Sequence, residues 1–63
     1  MKIGDLVYVN STSTGDSPWV VELYRTKYPV VFVGEIKDVG QSKIFYKGGI
    51  KWLRHNQLKV IKT

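Results

Sequence analysis

The chain contains no cysteine, and this limits its possible folds more than any other property of the sequence. A chain of 63 residues buries only about 60% of the surface that its unfolded form exposes, so its core is thin. No disulfide or thiolate-bound metal can reinforce that core, and the single histidine, His55, is too few for an ordinary zinc or iron site. We therefore expect no metal, no cofactor, and one domain over residues 1–63 with short loops. A zinc finger, a Rossmann domain and a TIM barrel are excluded.

The residue types favour a sheet. Val, Ile and Thr together number 18, the aromatic residues number 8, and alanine is absent, which suits strands better than helices. Alternation and turn residues predict strands over 3–9, 19–24, 30–37, 42–47, 50–54 and 58–61, with a polar loop over 10–18. Gly34 interrupts the third strand and predicts a bend or bulge there. We expect an all-β fold, a small barrel of five or six strands with one 3₁₀ turn near residues 54–57 and no α-helix longer than two turns. The residues predicted to be largely buried are Val7, Val9, Val31 or Phe32, Ile36, Ile44, Leu53, Leu58 and Val60.

Two segments carry a family resemblance. Residues 53–61, LRHNQLKVI, resemble the end of SH3-type domains, in which a strand ends on an apolar residue and a 3₁₀ turn containing Asn, an apolar residue and a last strand follow. The matching positions are Leu53, Asn56, Leu58 and Val60. Residues 2–9, KIGDLVYV, are similar to the G-D-x-V-x-V opening of many SH3-like and KOW-type barrels. The resemblance implies an SH3-like barrel with Leu53 in its core, and we expect Asn56 to hold the tight turn through a side-chain hydrogen bond. Arg54 and Gln57 stand where SH3 domains that bind proline-rich peptides usually carry Pro and Tyr. The resemblance therefore supports the fold more than it supports binding of proline-rich peptides.

A predicted hairpin near the C-terminus provides the candidate site. With Gly48-Gly49 as its two-residue turn, Phe45 pairs with Trp52, and alternation places both opposite the face that carries Leu53. The predicted outward face holds Lys43, Phe45, Lys47, Trp52 and Arg54. Aromatic rings flanked by cations suit nucleic acid, because rings stack on bases and cations meet phosphates.

Charge supports that interpretation. Residues 1–38 carry four basic and five acidic side chains, whereas residues 39–63 carry six basic ones and no acidic one. A basic half indicates an anionic partner such as nucleic acid, DNA or RNA. Two alternatives stay open: a protein contact or weak homodimer through the same aromatic face, and simple stabilisation of the hairpin by its rings. We expect a monomer or weak homodimer that binds no membrane.

The remaining candidates are weaker. Trp19 is expected to plug the end of the barrel, or else to extend a ligand groove together with Tyr24 and Tyr28. The acidic residues are scattered, and none pairs obviously with His55, so we expect a binding module rather than an enzyme. The N-terminal residues lack the apolar stretch of a signal peptide, and the expected location is cytoplasmic.

Overall fold

Five strands form one open antiparallel sheet. The computed structural model describes residues 1–61, and the strands are β1 (Leu6–Val9), β2 (Val30–Ile36), β3 (Gln41–Tyr46), β4 (Gly49–Arg54) and β5 (Leu58–Val60). Their order across the sheet is β4-β3-β2-β1-β5. 3₁₀ turns at Lys37–Val39 and His55–Gln57 connect β2 to β3 and β4 to β5. The predicted all-β fold is confirmed only in its coarser form, a mainly β chain. The 3₁₀ turn near residues 54–57 is confirmed, and the one at Lys37–Val39 was not predicted.

The segment predicted as the second strand is a helix. Pro18–Thr26 forms α1, so the strand predicted over residues 19–24 and the expected absence of an α-helix longer than two turns are both wrong. Pro18 at the first position presets a helical φ, and Val20 and Leu23 are buried, three residues apart, instead of alternating as in a strand. The helix ends at Thr26 and is capped by Lys27, whose φ of 54° is left-handed. No helix in residues 1–61 is long and apolar enough to cross a membrane.

The core lies where α1 packs against the sheet. Its buried residues are Val7, Val9, Val20, Leu23, Val30, Phe32, Ile44, Leu53 and Leu58. Of the predicted core, Val60 is only partly buried. Ile36 is 37% exposed, because a register shift between Phe32 and Gly34 pairs it with the exposed Gln41 and reverses the face on which its side chain lies. Val20 and Leu23 were not among the predicted core residues, because their burial depends on the helical spacing of α1.

A bulge bends β2 where the glycine predicted it. Phe32 pairs with Ile44 and Gly34 pairs with Lys43, so the register shifts between them. Gly34 has a φ of 151°, and a Cβ at this position would lie 3.3 Å from Cε of Lys43. Glycine suits this position for two reasons: it adopts the positive φ, and it leaves room for the side chain of Lys43 on the neighbouring strand.

Gln57, rather than Asn56, holds the second 3₁₀ turn. Its side-chain oxygen accepts a hydrogen bond from the backbone N–H of Arg54 at 3.1 Å, while its Nε2 donates to the carbonyl of Ser11 at 3.2 Å and to Oδ2 of Asp16 at 2.9 Å. Gln57 is buried, whereas Asn56 is exposed. The expected role of Asn56 is therefore wrong, and the amide of Gln57 joins the turn to the polar loop before α1.

Candidate functional site

The hairpin of β3 and β4 turns one residue earlier than predicted. Its loop is Lys47-Gly48, with φ of 50° and 76°, and Tyr46 pairs with Gly49 across it. Two successive positive φ angles are typical of a type I′ turn, whose twist matches that of the strands. Phe45 therefore lies opposite Ile50, and the predicted direct pair of Phe45 with Trp52 is wrong.

The outward face of the hairpin nevertheless carries the predicted rings. Each residue's partner has moved by two positions, and side chains alternate with a period of two, so the faces are unchanged. Phe45 and Trp52 are each 47% exposed and are diagonal neighbours on β3 and β4. Lys43 lies directly opposite Trp52, with its Nζ 5.6 Å from the centroid of the indole ring. Lys43, Phe45 and Trp52 together are called the outer patch.

Arg54 is engaged elsewhere. Its guanidinium donates to Oγ of Ser13 at 2.6 Å and lies 3.5 Å from Oδ1 of Asp16. The polar loop before α1 thus supplies a counter-charge, which the sequence pattern did not reveal because the two groups are far apart in the chain. Arg54 borders the outer patch as half of an ion pair, so it contributes less positive charge there than predicted.

Lys47 belongs to the opposite side of the hairpin. As a turn residue it leaves the outward row, and its Nζ lies 5.5 Å from the ring centroid of Tyr46. Tyr46 in turn stacks on Trp19 of α1, with the ring centroids 6.0 Å apart and the planes at 27°. Lys51 completes this group with its Nζ 5.9 Å from the indole centroid of Trp19. The single face predicted from the sequence is thus replaced by two surfaces, one on each side of the hairpin, and each carries basic and aromatic side chains.

A cleft adjoins the second surface, between α1 and the hairpin turn. Its volume is about 430 Å³, and the lining residues are Glu22, Leu23, Thr26, Tyr28, Tyr46 and Lys47. Of the three residues proposed to extend a groove, Tyr28 lines this cleft and Trp19 stacks on a ring that lines it. Tyr24 is not among the lining residues. Its ring lies 4.2 Å from Nζ of Lys27, which is also 5.6 Å from the ring of Tyr8.

An apolar row crosses the sheet beside the outer patch. Leu6 pairs with Val31, Val31 with Phe45, and Phe45 with Ile50, so four strands contribute one side chain each. Leu6, Phe45 and Ile50 are all exposed. An uncovered row of this kind is typical of contact surfaces.

The histidine contacts a serine and a carboxylate that the sequence did not connect. Nδ1 of His55 lies 2.8 Å from Oγ of Ser42 and 3.5 Å from Oε2 of Glu35. A catalytic triad needs the hydroxyl and the carboxylate on different ring nitrogens, whereas both contacts here involve Nδ1. Ser42 is also completely buried, so its hydroxyl is closed to a substrate and serves to anchor the turn at His55.

Comparison of the chain with protein-family models, with curated proteins and with solved structures finds no match. Any indication of function therefore comes from the geometry of the two surfaces on the hairpin.

Proposed function

We propose that this protein is a nucleic-acid-binding module whose primary contact is the outer patch on β3 and β4. The observation that carries the proposal is the pairing of Lys43 with Trp52, which sets an ammonium 5.6 Å from the centroid of a half-exposed indole. Phe45 adds a second half-exposed ring diagonally across the strands. Rings that stack on bases and a neighbouring cation that meets the phosphate are the parts that single-stranded nucleic acid requires.

Charge beyond the patch supports the same partner. Lys47 and Lys51 lie on the other side of the hairpin, so a strand that passes the hairpin meets ammonium groups on both sides. The chain as a whole has a formal charge of +5. A field of this sign accelerates encounter with polyanions and makes binding strongly dependent on salt.

The test is binding of a labelled single-stranded octamer at about 50 mM salt, where electrostatic contacts are near their strongest. We expect Trp52→Ala to weaken binding by about 1–3 kcal/mol, since a base loses its stacking partner. Ile50→Ala is the matched control, because it removes an exposed apolar side chain from the same face without removing a ring. Circular dichroism first establishes that both variants are folded.

Lysine variants test the electrostatic part. Lys43→Ala and Lys47→Ala are each expected to reduce the slope of log affinity against log salt by about one. Lys59→Ala removes the same charge from β5, at the opposite edge of the sheet, and is expected to leave the slope closer to that of the native chain. A folded, monodisperse sample that binds neither single- nor double-stranded DNA or RNA at this salt would refute the proposal.

A protein contact is the second candidate, and the apolar row favours it. Leu6, Phe45 and Ile50 would be covered together by a partner or by a second copy of the chain. In that case Ile50→Ala would weaken the association as strongly as Trp52→Ala, the lysines would hardly matter, and salt would have little effect. Pull-down and sedimentation with the same variants separate the two functions.

The SH3-like barrel and the absence of catalysis belong to the same proposal. The backbone N–H of His55 donates to Gly40 at 2.8 Å and that of Asn10 to Gln57 at 2.6 Å, so the turn between β4 and β5 contacts both neighbouring connections. These contacts support a sheet that curls as SH3-like barrels do. The buried hydroxyl of Ser42 supports a module that binds without catalysing a reaction.

A further inference from the structure

The cleft between α1 and the hairpin turn has the size and lining of a ligand site. Its volume of about 430 Å³ falls within the range of about 300–1,000 Å³ that is common for small-molecule pockets. Leu23, which is fully buried, supplies an apolar floor, and Tyr28, which is 57% exposed, supplies a ring with a free surface. A flat, partly apolar group therefore fits better than a fully hydrated one.

Two opposite charges line the same cleft. Glu22 is exposed on α1 and forms no ion pair within residues 1–61, while Lys47 extends from the turn over Tyr46. The carboxylate of Glu22 accepts hydrogen bonds and donates none, and the ammonium of Lys47 does the reverse. A ligand that satisfies both walls needs donor groups at one end, an anion at the other, and a flat surface between them.

We propose that the cleft is a subsite that accepts one guanine base of a bound single strand, an inference that rests on the nucleic-acid function proposed above. Guanine alone among the common bases has two adjacent donors, N1–H and N2–H, on its Watson–Crick edge, and these match the two oxygens of the Glu22 carboxylate. Uracil presents one donor between two acceptors, and adenine and cytosine each present one donor group beside an acceptor. The ring stacks on Tyr28, and the adjoining phosphate meets Lys47.

The position of the cleft suits a strand that also contacts the outer patch. Lys47 forms the turn between β3 and β4, so the cleft and the outer patch lie on opposite sides of one narrow hairpin. The longest dimension of the molecule is 29 Å, and small β-barrels that bind single strands cover about 4–16 nucleotides. An octamer therefore reaches both surfaces.

The experiment compares three labelled RNA octamers by fluorescence anisotropy at about 50 mM salt: all uridine, uridine with one central guanosine, and uridine with one central inosine. A bidentate base contact discriminates by about 1–3 kcal/mol, so the guanosine octamer should bind about fivefold or more tightly than the uridine octamer. Inosine lacks the N2 amino group and should lose much of that gain. Glu22→Gln should abolish the guanosine preference, so that the guanosine and uridine octamers bind with equal affinity. Asp38→Asn removes an equal charge from the turn after β2 and should keep the preference.

The outcomes separate this inference from the function on which it rests. Binding of the uridine octamer without any preference for guanosine would overturn the guanine subsite and leave the proposed function standing. Failure of all three octamers to bind would overturn the guanine subsite, and failure of DNA and of double-stranded RNA to bind as well would refute the proposed function itself. Loss of the preference in Asp38→Asn as well as in Glu22→Gln would assign the effect to overall charge and overturn the role of Glu22. Equal affinity for free guanosine monophosphate and for the guanosine octamer would refute recognition of a strand.

Discussion

Replacement of Gln57 by alanine tests whether one buried amide holds the second 3₁₀ turn to the loop before α1. The variant loses a hydrogen bond from the Arg54 backbone, one to the carbonyl of Ser11 and one to the carboxylate of Asp16. Neutral hydrogen bonds contribute about 0.5–1.5 kcal/mol each, and one to a charged group about 1.5–3 kcal/mol. The gross loss is then about 4 kcal/mol.

Water offsets part of that loss. Ser11 is exposed, so its carbonyl can regain hydration, and the side chain of Asp16 is 15% exposed. We therefore expect Gln57→Ala to lower the free energy of unfolding by about 2–4 kcal/mol. A chain of 63 residues has a total stability of about 3–9 kcal/mol, so this one change removes a large share of it.

The assay is urea unfolding followed by the fluorescence of Trp19 and Trp52, with stability taken from the midpoint and slope. Asn56→Ala is the matched control, because Asn56 is the neighbouring residue, is exposed and makes no side-chain hydrogen bond within residues 1–61. Its expected cost is within about 0.5 kcal/mol. Equal costs for the two variants, or a cost below about 0.5 kcal/mol for Gln57→Ala, would refute this account of the turn.

Two further predictions concern the backbone of the hairpin and the bulge. Lys47→Asn should raise the free energy of unfolding by about 0.5–1 kcal/mol. The reason is that a lysine at a φ of 50° is replaced by a residue that tolerates the left-handed region. An unchanged urea midpoint would contradict the turn assignment. Gly34→Ala should lower stability by about 1–3 kcal/mol, since its Cβ would meet the Lys43 stem at 3.3 Å and its φ of 151° suits glycine. The fluorescence of Trp52 in this variant should also change, because Lys43 shifts beside the indole ring. A Gly34→Ala variant with native stability and a native spectrum would show that the strand tolerates a side chain at position 34.

The features that depend on a short repeat could be predicted from the sequence. Alternation along β3 and β4 divided the side chains between two faces, and the resemblance of residues 53–61 then assigned Leu53, and with it Ile44, to the core and Phe45 and Trp52 to the outside, as observed. That assignment survived a hairpin register that was wrong by two residues, because an even shift preserves which face each side chain occupies. The bulge at Gly34 and the 3₁₀ turn before β5 were likewise marked by local residues.

The register of β3 against β4 could not be predicted from the glycine pair at residues 48 and 49. Gly48-Gly49 and Lys47-Gly48 are both possible two-residue turns, and the observed one places Phe45 opposite Ile50 instead of Trp52. The observed turn therefore places a lysine at positive φ, where the predicted turn had a glycine. The two registers differ in their pairs across β3 and β4, so alternation within either strand does not reveal which register is adopted.

The conformation of residues 18–26 and the surroundings of the site depend on tertiary packing. Trp19, Val20 and Leu23 have the composition of a strand, but they form part of a helix that reaches Tyr46 and the core over the sheet. That same packing creates the cleft beside Glu22 and Lys47, and the loop before the helix supplies Asp16 to Arg54. The period of two divided the hairpin residues between two faces, and the pattern of residues 53–61 indicated which of the two is buried. The charges available at that face followed from contacts between distant segments, which exist only after the chain has folded.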